Sequence, residues 1–443
     1  MPTSNDMQKL LDIQDKNLIF KDDCVTYGVL KGRKVKYIDC NLSYTPAECE
    51  KCHAPNNDYS IYKNGTQSSR VTFPMSGIRP TYLRIRKQRF MCKDCGSSFT
   101  AKTPIVKEHC FISTFIKAKI LTKASEACSV KDIAKEANVS EATVQRTINQ
   151  ESKQYRPHYH TLPSHLSFDE FKYASGRMAF EYIDVQNGRI LDILPSKHSR
   201  SVSNHFISHY SLKQREKVKT ITVDMNASYV SFIPRLFPNA QIIIDRFHIV
   251  QLVNRSMNKT RVKIMNQFHT SNGEDQKKYR RLKHFWKKIL KKETDLSYTK
   301  YQRYKLFGQR LESAIVSEML AYDSELKATY DVYQQIIQAV GMNDYNQLSC
   351  ILDRSDVANL SSYMKTSLRT LRKHLPFIKN TFKYPYNNGK IEGINNKIKV
   401  LNRVAYGYRN FANYKNRIII HFSLKSEASQ RKHAQKEVYS MVA

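Results

Sequence analysis

Four of the nine cysteines fall into two matching pairs, "CEKC" (Cys49, Cys52) and "CKDC" (Cys92, Cys95), with 39 residues between them. A two-residue spacer lets each pair turn back on itself, and four thiolates meet the tetrahedral preference of Zn²⁺. Such a site would pin both ends of the intervening segment to one point, so residues 41–110 are expected to form a small zinc-binding domain. With four protein ligands and no open position, its expected role is to hold structure rather than to catalyse. Gly96 after the last cysteine suits a tight knuckle turn. Between the pairs, "YLRIRKQRF" (82–90) reads as a strand that sets Arg84, Arg86, Lys87 and Arg89 where phosphate can be contacted.

The chain holds 73 Lys+Arg against 39 Asp+Glu in 443 residues, a formal charge of +34. Such a surplus repels itself unless a polyanion neutralises it, and nucleic acid is the fitting partner. A membrane fits less well, because no apolar run approaches the roughly 18 residues of a spanning helix. The opening "MPTSNDMQKLLDIQDK" also lacks a secretory signal pattern. A cytosolic location is the resulting expectation, and there thiols stay free or metal-bound.

Residues 1–40 read as a poorly defined lead-in, and 111–155 as helical. Within the latter, "SVKDIAKEANVSEATVQRTI" (129–148) has Ser129 and Ser140 as helix N-caps, with Asp132 as a capping-box partner. "ANVS" supplies the turn, and Ile133, Ala134, Ala137, Val144 and Ile148 supply the inner faces. This is a helix-turn-helix pattern, whose second helix enters the major groove. Thr143, Gln145 and Arg146 would then face bases or phosphates.

Beyond the linker "QYRPHYHTLPSH" come five short apolar runs: 165–171, 178–185, 190–196, 220–225 and 240–247. They read as strands, the second and third joined by an Asn-Gly hairpin. Helical stretches at 200–216 and 228–238 separate the later ones, giving an α/β order with a mixed sheet. In a ribonuclease-H-like sheet the first and fourth strands are neighbours, which would set Asp169 beside Asp224. Two such carboxylates need a compensating cation, and Mg²⁺ suits oxygen ligands. Two ions could activate an attacking oxygen and stabilise a leaving one.

From about 250 to 380 the pattern is helical, including the basic run "KKYRRLKHFWKKILKK" (277–292). A third acid is available in "NNGKIEGINNKIKVLNR" (387–403), where Glu392 stands alone among Asn, Gly and basic residues. Read as a helix, it aligns Glu392, Asn396, Lys399 and Arg403 on one face opposite Ile391, Ile394, Ile398 and Leu401. That face can offer one carboxylate to a metal and two cations to a DNA backbone.

Taken together, "CEKC…CKDC", "SFDEF", "TVDMNASYVSFIPRLFPNAQIIIDRFH" and "NNGKIEGINNKIKVLNRVAYGYRN" resemble the DDE transposases of bacterial insertion sequences, ISL-three family. The resemblance implies an N-terminal zinc finger, a helix-turn-helix and a ribonuclease-H-like α/β core interrupted by an all-α insertion. The corresponding boundaries are 160–254 with 380–422 for the core, 255–379 for the insertion and 423–443 for a polar tail. It also implies Asp169, Asp224 and Glu392 as catalytic triad and ligands of two Mg²⁺ (or Mn²⁺) ions, with Lys399 as the basic residue after the acid. "DRFH" (Asp245, His248) resembles a supporting D-x-x-H element. Implied partners are double-stranded DNA, as terminal inverted repeats and target, and a second copy in a dimer or larger synaptic complex. The implied setting is a bacterial cytoplasm, at the nucleoid. The rival expectation is a catalytically inactive, transposase-derived DNA-binding regulator. Glu170 adjoins Asp169, and Asp245 could compete with Asp224.

Overall fold

The computed structural model describes residues 3–225, 227–355 and 358–425. The backbone divides into two units, Met1–Arg156 with Ile398–Ala443, and Pro157–Lys397.

The first unit holds strands β1 (Leu18–Leu30), β2 (Arg33–Leu42), β3 (Ile61–Ser76), β4 (Arg79–Cys92) and β5 (Ser98–Thr100). They form one sheet in the order β1-β2-β4-β3, with β5 on β4. Residues 1–40 are therefore no lead-in: a helix (Ser4–Leu10), β1 and most of β2 lie there. In β1 only Leu18, Phe20 and Cys24 are buried, too sparse an alternation to read as a strand. The β1–β2 turn is made by Lys31 and Gly32, both at positive φ (50° and 75°), the two-residue geometry whose twist suits a hairpin.

Helices Thr114–Ala124, Val130–Ala137 and Glu141–Glu151 follow. Ser129 and Ser140 accept hydrogen bonds from the N–H groups of Asp132 (3.0 Å) and Thr143 (3.2 Å), so each caps its helix. Asn138 ends the second helix in the left-handed conformation, φ 53°, which makes the turn sharp. Ile133, Ala134, Ala137, Val144 and Ile148 bury against Ile116, Ile120 and Ala124, and also against Ile420.

Ile420 belongs to a helix over 411–425, in a segment expected to complete the catalytic domain; residues from Ile398 onward instead group with the first unit. Arg417 shows why. Its wholly buried guanidinium donates to the carbonyls of Ala124, Glu126 (2.8 Å) and Cys128 (3.2 Å). Carbonyls at a helix end have no partner within the helix, so a distant donor that satisfies them fixes the segment there.

The second unit holds β6 (His165–Ala174), β7 (Arg177–Asp184), β8 (Ile190–Leu194), β9 (Thr220–Val223) and β10 (Gln241–Ile244), in the order β10-β9-β6-β7-β8. The β6–β7–β8 meander is antiparallel, while β9 runs parallel to both β6 and β10. Phe168, Phe180 and Tyr182 pack on one face with Phe206 and Phe237. The other face is polar at its centre, carrying Ser167, Asp169, Thr222 and Asp224. A second hydrophobic core is built by helices from Arg246–Gln267 through Ser362–Lys383, and Ile244 of β10 joins it.

This segment, expected to be an all-α insertion, is not purely helical. Tyr301–Tyr304 and Gly308–Leu311 form an antiparallel hairpin. Leu306 and Gly308 take positive φ (71° and 74°), and exposed polar residues on both strands hid the alternation. The basic run at 277–292 is likewise broken: a helix ends at His284 and a short turn, Trp286–Ile289, follows. Leu282 and Ile289 are wholly buried, whereas Trp286 stays exposed.

Candidate functional site

The four cysteine sulfurs converge, all lying within 4.8 Å of one another. Cys49 and Cys95 are 3.7 Å apart and Cys52 and Cys92 3.8 Å apart, close to the roughly 3.8 Å edge of a tetrahedron with 2.3 Å Zn–S bonds. Each pair sits in a knuckle closed by backbone bonds, His53 N–H to the Cys49 carbonyl and Gly96 N–H to the Cys92 carbonyl, both 3.0 Å. Gly96 adopts φ 64°, the conformation that favours glycine there. Backbone N–H groups of Cys52 and Lys51 hold the Cys49 thiol down, to about 6. The convergence of the four sulfurs at near-tetrahedral spacing fits a structural zinc ion.

On the sheet of the same unit, Arg84 and Arg86 are exposed and line a groove of about 490 Å³ with Lys21 and Arg70, two cations the sequence did not single out. Arg84 is forked onto Asp39, Nε to Oδ1 at 2.6 Å, so part of its charge is already paired. Arg89 is exposed too. On the helix Glu141–Glu151, Arg146 is exposed and donates to the Thr143 hydroxyl (3.3 Å), and Gln145 donates to Asn149 (3.0 Å). Lys399 and Arg403 are exposed on the part of helix Gly389–Val404 that groups with the first unit.

The acids are organised differently. Asp169 and Ser167 alternate onto the polar face of β6, and Ser167 is in register with Thr222 on the parallel strand β9. Asp224, two residues past Thr222, therefore comes beside Asp169 just beyond the strand end. Glu170 points to the opposite face, where Lys197 pairs with it at 2.9 Å and the Tyr229 hydroxyl donates to it. Strand parity thus separates the two adjacent acids.

Helix Gly389–Val404 meets this face through two asparagines. Asn388, just before its start, donates from Nδ2 to Asp224 (3.3 Å) and accepts from the Ser167 hydroxyl (2.7 Å). Asn395 donates from Nδ2 to Asp169 (2.7 Å), 226 residues away in sequence. Glu392 lies four residues after Asn388 and three before Asn395, spacings that share one helix face. It is exposed. Among the described residues, only the four cysteines form a group of three or more His, Cys, Asp or Glu ligand atoms all within 4.8 Å, so the three carboxylates do not close to that distance.

Asp245 caps helix Arg246–Gln267, accepting from the Phe247 N–H (2.7 Å), and also accepts from the Asn388 N–H. It anchors two helix starts. His248, three residues on, places Nε2 at 2.5 Å from the Asp224 carboxylate, a contact that raises the imidazole pKa. Burial, then the Asp224 charge, pushes the Asp169 carboxyl up to about 6. The donor set is all oxygen and the acids disfavour one another's charge, as suits residues that take a hard divalent cation. Asn388 and Asn395 were missed as site residues; the only sequence signal was their spacing around Glu392.

A family profile described as Transposase, of the DDE ISL3 type, matches residues 166–418, more than half of the chain. The chain belongs to the ISL3 family of DDE transposases. It is similar to the transposase for insertion sequence element IS1001 of Bordetella parapertussis, 24% identical over 346 residues that cover 74% of this chain and 78% of that protein. A shorter similarity, 41% over 109 residues, is to a protein of Lactococcus lactis subsp. lactis named ATP-dependent protease. It covers 25% of this chain and spans about a third (34%) of that relative. No helix among the described residues is long and apolar enough to cross a membrane.

Proposed function

We propose that this transposase binds the terminal inverted repeats of its own element, cleaves the DNA there and joins the 3′ ends to a target. In this reading the sheet β10-β9-β6-β7-β8 is a ribonuclease-H-like core, supported by its three antiparallel strands followed by two parallel ones on the β6 side. Asp169, Asp224 and Glu392 are its metal-binding triad. The observation that carries this is the helix around Glu392: the residues one turn before and one turn after it hold Asp224 and Asp169 respectively.

Bound divalent ions would supply the positive charge that activates the attacking oxygen and stabilises the leaving one. The chain's own contribution is positioning. Asn388 and Asn395 orient the aspartates, His248 offsets charge at Asp224, and Asp245 fixes the helix start that leads to Glu392. The zinc knuckles and helix-turn-helix would read the repeats through Thr143, Gln145 and Arg146. Arg84, Arg86, Arg89, Lys399 and Arg403 would add affinity at phosphates without sequence choice.

The test is Asp224→Asn assayed on DNA carrying the element's ends with Mg²⁺. Cleavage should fall by about 10³-fold or more, a loss of roughly 4 kcal/mol of transition-state stabilisation, while end binding stays within about twofold. Undiminished cleavage would remove the triad.

A further inference from the structure

Glu181 interrupts an apolar strand, "MAFEYIDV", and lies on β7 directly opposite Asp169 on β6. Residues paired across antiparallel strands project to the same face, their Cβ atoms about 4.5–5.5 Å apart. Glu181 therefore shares the polar face with Asp169 and not the aromatic face of Phe180 and Tyr182. On its other side the partner is Ile193 of β8. Its exposure is 0%, and neither carboxylate oxygen has a hydrogen-bond partner.

It is not alone in this. Asn395, whose Nδ2 holds Asp169, leaves its Oδ1 buried without a partner. Thr222 Oγ1, one row below Asp224, is in the same condition. With Glu181 ionised, only the threonine hydroxyl among these oxygens can donate, and each of them stands buried without a partner. A buried carboxyl beside a second one either takes a proton or needs compensating positive charge to stay ionised. Described cations nearby are already directed elsewhere: Lys197 serves Glu170 on the opposite face, and His248 serves Asp224. A hard divalent cation meets every one of these demands, since it takes oxygen ligands and tolerates several at once.

We propose that Glu181 is a fourth carboxylate of the metal site, taking a divalent cation jointly with Asp169, with Asn395 Oδ1 as a further oxygen in reach of the same ion. This rests on the reading of Asp169 and Asp224 as metal ligands. It assigns β7, and not only β6, β9 and the Glu392 helix, to the metal centre.

The test is Mn²⁺ binding to the zinc-loaded full chain, read by electron paramagnetic resonance of free Mn²⁺. Glu181→Gln keeps the side chain's shape and removes its charge. At least one Mn²⁺ should bind about tenfold more weakly or be lost, with the thermal melt retained and affinity for DNA carrying the element's ends unchanged. Wild-type Mn²⁺ affinity and stoichiometry in Glu181→Gln overturns the proposal. Glu181→Met guards against a folding defect peculiar to the amide, and the same loss is expected in it. Asp169→Asn, run alongside, separates the two levels. If Asp169→Asn weakens Mn²⁺ binding and Glu181→Gln does not, only the Glu181 assignment fails. If Asp169→Asn binds Mn²⁺ as wild type does, the triad reading fails and the Glu181 assignment falls with it.

Discussion

The four cysteines and the acids are both gathered from distant parts of the chain, but by different means. Each cysteine pair is shaped by its own knuckle, with backbone bonds from His53 to Cys49 and from Gly96 to Cys92. Only the meeting of two finished knuckles is left to the fold. The acids have no such local device. Asp169 and Asp224 end up adjacent because β6 and β9 pair, and amides from a third element, Asn388 and Asn395, hold them. An unperturbed thiol is largely neutral at pH 7, so thiols can be crowded at less cost than carboxylates. Carboxylates carry charge at neutral pH and must be held by donors. A sulfur site can be completed within the first unit's backbone, while the acids are held by hydrogen-bond donors brought from other elements, Asn388, Asn395 and His248.

The largest effect is expected from withholding metal from the four cysteines. A structural zinc ion contributes on the order of 10 kcal/mol to a small module. Chelation, or Cys92→Ser, should therefore unfold the sheet β1–β5 while the second unit keeps its secondary structure. Limited proteolysis with circular dichroism reads this, and a protease-resistant first unit after chelation would show that the knuckles do not depend on metal.

Arg417 offers a long-range contact inside the first unit for contrast. Arg417→Met strands up to three carbonyls, at roughly 1–3 kcal/mol for each that water cannot reach. The helix-turn-helix should lose about 3 kcal/mol in a denaturant melt, with loss of DNA binding in proportion. Unchanged stability would mean the 411–425 helix is not needed there.

The acid scaffold is probed by Asn395→Ala and Asn388→Ala. Each should weaken Mn²⁺ binding by about 10- to 100-fold, the usual cost of removing an orienting partner. The fold should survive, as checked by the thermal melt. Asn395→Asp should not rescue, because a carboxylate cannot donate to Asp169.

The smallest effect concerns Glu312, a buried acid satisfied by two lysines and a backbone N–H instead of asparagine side chains. Burial pushes its carboxyl up, but hydrogen bonds from Lys288, the Ser297 N–H and Lys291 outweigh this and hold it at about 2. A folded value below the usual 4.5 means its stabilisation is complete above pH 4.5 and is lost as pH falls toward 2. Glu312→Gln should flatten the stability–pH slope in that window. Asp169 is driven the opposite way to about 6, by burial first and then by the charge of Asp224.

Much of the candidate site could be read in the chain, but unevenly. Ser129 and Ser140 as helix caps, and the cysteine knuckles, are patterns of four to six residues, so nearest neighbours in sequence carry them. The choice between Asp169 and Glu170 needed the strand's true register, which alternation with Ser167 only hinted at. Asp245 looked like a competitor for Asp224 because both end a strand; its role as a cap became visible only with the Asn388 N–H against it. Asn388 and Asn395 had no signal of their own, since an asparagine before or within a helix is read as solvent-facing unless its partner is known.

By itself the sequence determined what is local: cysteine pairs that turn back on themselves, capped helices with a sharp turn, short apolar strands and a surplus of positive charge. Tertiary structure alone decided which of these meet. It assigned the 398–425 segment to the first unit, built strands from residues 18–42, and set Asn395 and Glu181 against Asp169. The reason is physical: capping and periodicity act over a few residues, whereas burial and long-range hydrogen bonds are settled only when distant parts of the chain have packed.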